Sequence, residues 1–329
     1  MITIPVASLD ACHNFALEYY LVTEKKFTDS IFMLWSTTPT VMLGKYQEVD
    51  TEVNLKYAKQ HNINVIRRLS GGGTIYTDEG SCQFTLIRPI NKKIIDFSNG
   101  MQLITSALHQ IGFFVTPDSR NDLIDTNKFK VSGNAQYLTN DRCLHHGSLL
   151  FEPNQTVMSN VLHADSVKLK AKGILSVHQR TGNLKQQHPS WSPAKFKHHL
   201  NAAIFNSASQ IIYHLNQKDE ERIDKIAKEK FHNSIVYTPA AQSNYLKKQY
   251  FNGAGLVQLR FTLKKNKLTD VHISGDFFSD IDPQKFANVL EGISFDPATV
   301  YQVINRILLQ FPIVGITANE LVALMFDGK

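Results

Sequence analysis

The 329-residue sequence predicts an α+β fold: a sheet assembled from hairpins rather than from β-α-β crossovers alone, helices around it, and then a smaller α+β unit. Three observations carry this. Residues 65–87 alternate short apolar runs with turn residues, a strand–turn–strand–turn–strand series. Segments with three- to four-residue apolar spacing, the helical period, stand on either side of it. Near residue 245 the composition shifts, and Val257, Leu259, Phe261 and Leu263 alternate with Gln258, Arg260 and Thr262, the two-residue period of a half-buried strand.

The elements follow in order. Asp10 to Glu24 carries Phe15, Tyr19 and Val22 on one helical face. Ile31 to Trp35 and Thr40 to Leu43 are apolar runs broken by Pro39, expected as a strand pair joined by a turn. Thr51 to His61 reads as one helix. Strands at Val65 to Arg67, Thr74 to Tyr76 and Cys82 to Ile87 are punctuated by Ser70-Gly71-Gly72-Gly73 and Asp78-Glu79-Gly80. Asn99 to Ile111 reads as a helix and Leu144 to Phe151 as a strand. Leu184 to Ser192 has no usable period and is expected as a loop, and Ser192-Pro193 starts a helix. Lys195 to Phe231 holds two helices. In the second unit, Lys264 to Lys267 turns into a strand through Val271 and Ile273, and Pro283 to Leu290 is a short helix. Asp296-Pro297 opens a helix with Val300, Val303, Ile304 and Ile307 on one face, and Thr317 and Glu320 have capping-box spacing. The domains expected are 1–245 and 246–329.

With 43% hydrophobic residues the chain has ample material for a core. No stretch approaches the roughly 18 apolar residues of a membrane span, and Met1 to Asp10 lack the basic start and apolar run of a secretory signal. A cytoplasmic protein without membrane contact is expected. Cys12, Cys82 and Cys143 are odd in number and far apart, which fits reduced thiols rather than a zinc site or a disulfide framework. The net charge of +6 attracts anions without saying which.

Three segments carry chemistry. In Arg67-Arg68-Leu69-Ser70-Gly71-Gly72-Gly73-Thr74-Ile75-Tyr76, consecutive glycines leave backbone N–H groups uncovered, so the chain can approach a phosphate or adenine, and two arginines supply forked donors. A flexible hairpin with solvated arginines fits the same residues, and neither Walker A nor Rossmann spacing is present. In Ser119-Arg120-Asn121-Asp122-Leu123 and Lys128-Phe129-Lys130-Val131-Ser132-Gly133-Asn134-Ala135, composition does not separate Lys130 from Lys128. Asp122 fits either a turn or a ligand of Mg²⁺, which takes one or two carboxylates beside nucleotide phosphates. In Leu144-His145-His146-Gly147-Ser148-Leu149-Leu150-Phe151, adjacent strand histidines point to opposite faces and cannot jointly clasp a metal; one is expected inward and the other outward.

Together these segments resemble, in order, the lipoate–protein ligase A family: Arg-Arg-x-Ser-Gly-Gly-Gly, Asn-Asp-Leu, Lys-(Val/Phe)-Ser-Gly-(Ser/Asn)-Ala, His-His-Gly-(Thr/Ser)-Leu-Leu and, at Ala171-Lys172-Gly173-Ile174, Ala-Lys-Gly-Ile. The resemblance covers residues 10–185 strongly, and the tail from about 246, with Gly275-Asp276-Phe277-Phe278, is similar to the family's accessory C-terminal domain. It implies a mixed, largely antiparallel sheet flanked by helices, the catalytic fold shared with biotin–protein ligases. The implied reaction adenylates lipoate with ATP, releases pyrophosphate, and passes the lipoyl group to an acceptor lysine. By similarity Arg68, Ser70, Gly71, Gly72, Gly73, Thr74, Ile75, Tyr76, Asp122, Lys130 and Ala135 would bind ATP and lipoyl-AMP. Arg68, Lys130, His146 and Gly147 would bind lipoate, Lys130 would be catalytic, and Asp122 would meet Mg²⁺. The substrates implied are lipoate and ATP with Mg²⁺, with no tightly bound organic cofactor. The acceptors implied are lipoyl domains of 2-oxoacid dehydrogenase E2 subunits, the glycine-cleavage H protein or an H-like carrier, met by a monomer whose C-terminal domain moves on adenylation.

Two departures stand out: Thr77-Asp78 where the family commonly has His-Asp, and Thr74 where Ala is usual. A cysteine-dependent octanoyl or lipoyl transferase of the same fold is the nearest alternative, since Cys82 and Cys143 lie beside the motifs. A biotin–protein ligase fits the lysine and histidine motifs less well. Nucleic-acid binding lacks a recognition-helix signature or interleaved aromatics.

Overall fold

The computed structural model describes residues 1–118, 120–163, 181–206, 211–232 and 243–326. Ser119 and the Ala171-Lys172-Gly173-Ile174 motif lie outside them. Helix α1 (Ala11–Tyr20) begins where the Asp10 carboxylate accepts from the Cys12 amide at 2.8 Å, and it continues as a π-turn over Leu21–Lys25.

The strands are β1 (Ile2–Thr3), β2 (Ile31–Trp35), β3 (Thr40–Leu43), β4 (Asn64–Arg67), β5 (Ile75–Thr77), β6 (Cys82–Pro89), β7 (Val115–Pro117), β8 (Asp122–Asp125), β9 (Lys130–Leu138), β10 (Arg142–Leu149) and β11 (Ile211–Ile212). The described residues form a main sheet of order β11-β1-β2-β6-β10-β9-β8-β7, in which β1 is parallel to β2 and β11 and every other pairing is antiparallel. The largely antiparallel character expected is therefore present.

The expected hairpins are not those found. Strands β2 and β3 do not pair; β3 lies in a separate sheet of order β4-β3-β5, parallel to β4 and antiparallel to β5. Strand β6, expected to continue the hairpin series, pairs with β2 and β10 in the main sheet. Residues 68–74, glycines included, span from one flank of β3 to the other instead of closing a tight turn. The single helix expected over residues 51–61 is two, α2 (Val49–Glu52) and α3 (Leu55–Gln60), because the Asn54 side chain accepts from the Tyr57 amide at 3.0 Å and starts a new helix there.

Period-2 alternation divides the main sheet's two faces. Ile31, Met33, Trp35, Ile87 and Leu144 pack with Phe15 and Leu17 of α1 and with Leu21 of the π-turn. Phe32, Cys82, Phe84 and Leu149 pack on the other side against α4 (Ser98–Gln110) and against Phe196 and Leu200 of a later helix. Both faces being covered, His145 and His146 are both buried, which corrects the expectation of one outward ring. Helix α5 (Gln155–Val161) closes the small sheet with Met158 and Val161. The expected loop from Leu184 opens with a 3₁₀ turn over Leu184–Gln187 and leads to α6 (Pro193–Asn206); β11 then precedes α7 (Gln217–Ile226) and a π-turn to Phe231.

The second unit adds a strand that periodicity missed, β12 (Tyr245–Phe251), beside β13 (Gly255–Lys264) and β14 (Lys267–Gly275), with α8 (Pro283–Leu290), α9 (Pro297–Gln310) and α10 (Ala318–Phe326). Thr317 and Glu320 exchange both capping-box bonds, at 2.8 and 3.3 Å. Tyr46, from the first unit, belongs to this unit's core: its ring stacks on Phe277 at 4.4 Å, and its hydroxyl lies 2.8 Å from the carbonyls of Ser279 and Ile281. Arg260 and Glu48 tie the two units by paired hydrogen bonds of 3.1 Å each.

Candidate active site

A cleft enclosing about 1460 Å³, its open mouth included, lies between the main sheet, the small sheet and the second unit. Arg68, Gly72, Gly73, Thr74, Ile75, Tyr76, Asp122, Lys130, Ala135, His146 and Gly147 line it. Ser70 and Gly71 do not line it; Ser70 is buried behind it, beside Glu18, Leu69 and His146.

The main sheet supplies the floor. Asp122 on β8, Gly133 on β9 and Ser148 on β10 occupy one row of cross-strand pairs, which continues through Gln83 on β6 to Trp35 on β2. Lys130 reaches across this row: its Nζ lies 2.7 Å from Asp122 Oδ1, and a Cβ on residue 133 would meet that Nζ at 2.7 Å. Gly133 is therefore what lets the lysine lie flat over the strand. Lys128, inseparable from it by composition, sits exposed at φ 66° in the turn between β8 and β9. Asp122 lies in a strand, with its backbone N–H donating to Asp118 Oδ1 at 2.9 Å, and it is 2% exposed.

The glycine loop forms the roof. Gly72 adopts φ 89°, open to glycine at little cost, and a Cβ there would come within 2.9 Å of the Phe278 ring. Arg68 shapes the loop from inside: its Nη atoms donate to the carbonyls of Met42 at 2.9 Å and of Gly71 and Gly73 at 2.8 Å each, and its Nε donates to Ser70 Oγ at 3.1 Å. Burial, with the neighbouring Arg67 charge, pulls the Arg68 guanidinium down to about 10. Arg67 also donates inward, to Gly44 O at 2.9 Å.

His146 faces the cleft. Its Nε2 lies 2.7 Å from Ser70 Oγ and its Nδ1 2.9 Å from Glu18 Oε2. His145 faces the opposite side, between Asn134 Oδ1 at 3.0 Å and Gln136 Nε2 at 3.2 Å, and burial pushes it down to about 3.

The two unusual threonines are both used. Thr74 donates to Gln47 Oε1, and buried Thr77 accepts from Gln83 Nε2.

Sequence reasoning did not single out Phe15, Trp35, Gln83 or Phe278 as cleft residues, nor Glu18 behind them. Glu18 left a trace: a carboxylate three residues after Phe15, on the apolar face of α1. Phe278 was legible only as part of the Gly275-Asp276-Phe277-Phe278 motif of the second unit, and nothing local placed it in the cleft, where its ring lies 4.9 Å from the Arg120 guanidinium.

The cysteines are elsewhere. Cys82 and Cys143 are buried on the sheet face turned from the cleft, and burial raises their thiols to about 12 and about 11. Among the described residues no group of three or more His, Cys, Asp or Glu side chains is placed to hold a metal, and no helix is long and apolar enough to cross a membrane.

Comparison with known proteins gives two family matches: the lipoyl protein ligase A/B catalytic domain over residues 10–205, and the bacterial lipoate protein ligase C-terminus over residues 240–325. The chain is 30% identical to a probable lipoate-protein ligase A of Mycoplasma genitalium, covering 100% of this chain and 99% of that protein. It is also 30% identical to the lipoate-protein ligase LplJ of Bacillus subtilis, covering 95% of this chain and 96% of that one. Among solved structures, LipL1 of P. falciparum, in complex with lipoate, superposes with a TM-score of 0.76 at 20% identity, over 92% of this chain and 93% of that one; at that identity the likeness concerns the fold.

Proposed function

The chain belongs to the lipoate–protein ligase family, and from that premise we propose how its cleft activates lipoate and passes it on. The enzyme is a ligase and its reaction is lipoate ligation. A carboxylate repels nucleophiles at neutral pH, so lipoate is first joined to AMP as a mixed anhydride. A lipoate oxygen attacks the α-phosphorus of ATP and pyrophosphate leaves. The ε-amine of an acceptor lysine then attacks the acyl carbon, and AMP leaves.

The observation that carries this assignment of roles is Lys130, lying on the cleft floor opposite the glycine loop with Asp122 at 2.7 Å. An ammonium there meets both the lipoyl carbonyl and the α-phosphate and offsets the charge that builds on each in its transition state. Gly72 to Tyr76 offer backbone to the nucleotide, and His146, Gly147, Phe15 and Trp35 wall the acyl chain. Magnesium enters with ATP as part of the substrate. Asp122 fits as a single carboxylate beside the phosphates, the kind of site Mg²⁺ takes, although its oxygen is shared with Lys130. We assign residues 1–245 to catalysis and 246–329 to the accessory unit, and propose lipoyl domains of E2 subunits or an H-type carrier as acceptors, a monomeric state and a cytoplasmic location.

The cysteine-dependent transferase is not favoured, since thiols raised to about 11 and about 12 on the far face of the sheet supply no thiolate to the cleft. The test is lipoate-dependent ATP–pyrophosphate exchange on the wild type, Lys130→Ala and the Cys82→Ala/Cys143→Ala pair. Exchange that survives cysteine loss and collapses without Lys130 supports the ligase assignment. Absent exchange, with acyl transfer that needs a cysteine, overturns it.

A further inference from the structure

Two chains of hydrogen bonds converge on one buried carboxylate, that of Glu18 on α1, which is 3% exposed. The first runs from Arg68 Nε to Ser70 Oγ at 3.1 Å, from Ser70 Oγ to His146 Nε2 at 2.7 Å, and from His146 Nδ1 to Glu18 Oε2 at 2.9 Å. The second runs from Trp35 Nε1 to Thr85 Oγ1 at 2.9 Å and from Thr85 Oγ1 to Glu18 Oε1.

Chemistry fixes the direction of the bonds that arginine and tryptophan start. Arginine and tryptophan nitrogens only donate here, so Ser70 and Thr85 accept from them and have their own protons to give onward. Thr85 gives its proton to Glu18. Between Ser70 and His146 the direction follows the ring tautomer: with the ring proton on Nδ1, aimed at the Glu18 carboxylate, Nε2 is bare and accepts the Ser70 proton.

We infer that Glu18 is a positioning residue for adenylation: through His146 and Ser70 it sets the posture of Arg68 and of the glycine loop, and through Thr85 it fixes Trp35 on the acyl side. The inference rests on the ligase reading of the cleft and adds to it a residue that touches neither substrate. Arg68's hydrogen bonds run to three carbonyls and a hydroxyl, all neutral, and the field of Glu18 acts on it in the favourable sense. The Ser–His–Glu order resembles a nucleophilic triad. Ser70 is 1% exposed and stands behind the cleft wall, so the order serves alignment and not attack.

The first readout is independent of activity. Nitrogen-15 NMR of the His146 ring, identified by its loss in His146→Gln, is expected to place the proton of the neutral ring on Nδ1 in the wild type. A neutral ring protonated at Nε2 overturns the inference. The second readout is kinetic. In ATP–pyrophosphate exchange, Glu18→Gln and Ser70→Ala are each expected to lower kcat/KM for ATP by about 10- to 100-fold, as loss of a partner that orients a functional group does. Because the two residues act through one chain, the double variant should be little worse than either single one. Independent, multiplying losses, or a change confined to the KM for lipoate, would overturn it. Should Glu18→Gln fail to fold, Ser70→Ala decides the kinetic arm. A wild type that shows no exchange at all would sink the ligase reading, and the tautomer would still decide this one.

Discussion

The Lys130 ammonium and the Asp122 carboxylate, 2.7 Å apart on the cleft floor, position one another. Asp122→Asn keeps the shape and removes the charge that holds the lysine, so exchange should fall by about 10- to 100-fold. Lys130→Ala should fall further, by about 100- to 1,000-fold, because it removes the group that meets developing charge. Initial rates at saturating lipoate check both, and an Asp122→Asn variant at the wild-type rate would remove that residue from the site. His145 gives a prediction for stability. In the unfolded chain it binds a proton below about pH 6.5, whereas burial delays this to about 3 in the fold. Between those values the unfolded state holds the extra proton, so acid draws the equilibrium towards unfolding. Urea midpoints should fall as pH drops from 6.5 towards 3, and less steeply in His145→Gln. The motif segments were readable as a set from the sequence, but the division of labour within them was not. Lys130 differs from Lys128 through a turn at φ 66° and through the space left by Gly133, and Glu18 acts through partners 67 and 128 residues away.

Among the elements, the stretch between β4 and β5 departs most from its sequence reading. Glycine punctuation between apolar runs signals a hairpin, yet the two strands flank β3 on opposite sides, one parallel and one antiparallel. Local periodicity reports that a segment is a strand and is silent about its partner, which non-local packing selects. The same limit explains β2 and β3, correctly placed along the chain and assigned to one sheet when they belong to two. The helices were more legible, since caps such as Asp296 before Pro297 and Thr317 before Glu320 are local features. The Arg68–Thr74 stretch offers a test at this scale. Gly72→Ala forces a side chain into φ 89° and towards the Phe278 ring, so it should destabilise the protein by about 1–2 kcal/mol from backbone strain alone. It should also weaken ATP binding. Thermal midpoints and ATP titrations read the two effects, and an unchanged pair would show that the loop tolerates a side chain.

In the whole molecule, the second unit lies on the glycine loop. The Gly72 N–H donates to Phe277 O at 3.3 Å, and Arg120 Nη2 donates to the carbonyls of Ala254 and Asp276 at 2.6 and 2.9 Å. An acceptor lysine must reach the acyl carbon in this cleft, so the unit is expected to shift on adenylation. Solution scattering with and without a non-hydrolysable lipoyl-adenylate analogue should differ, and superimposable profiles would count against the motion. A net charge of +6 predicts that an acidic acceptor is drawn in electrostatically. Its KM should rise with added salt while lipoate-dependent exchange changes little; a KM indifferent to salt would exclude that steering. Tyr46 carries a further consequence, one of timing. It leaves the ribosome roughly 230 residues ahead of Phe277, on which its ring stacks. At about 5–20 residues per second, the growing polypeptide holds that aromatic for on the order of 10–50 seconds before the core that receives it has been synthesised. The catalytic unit must therefore be born with an unburied tyrosine at its rim, and a nascent chain stalled before residue 277 would offer chaperones a sticky patch that the finished protein conceals.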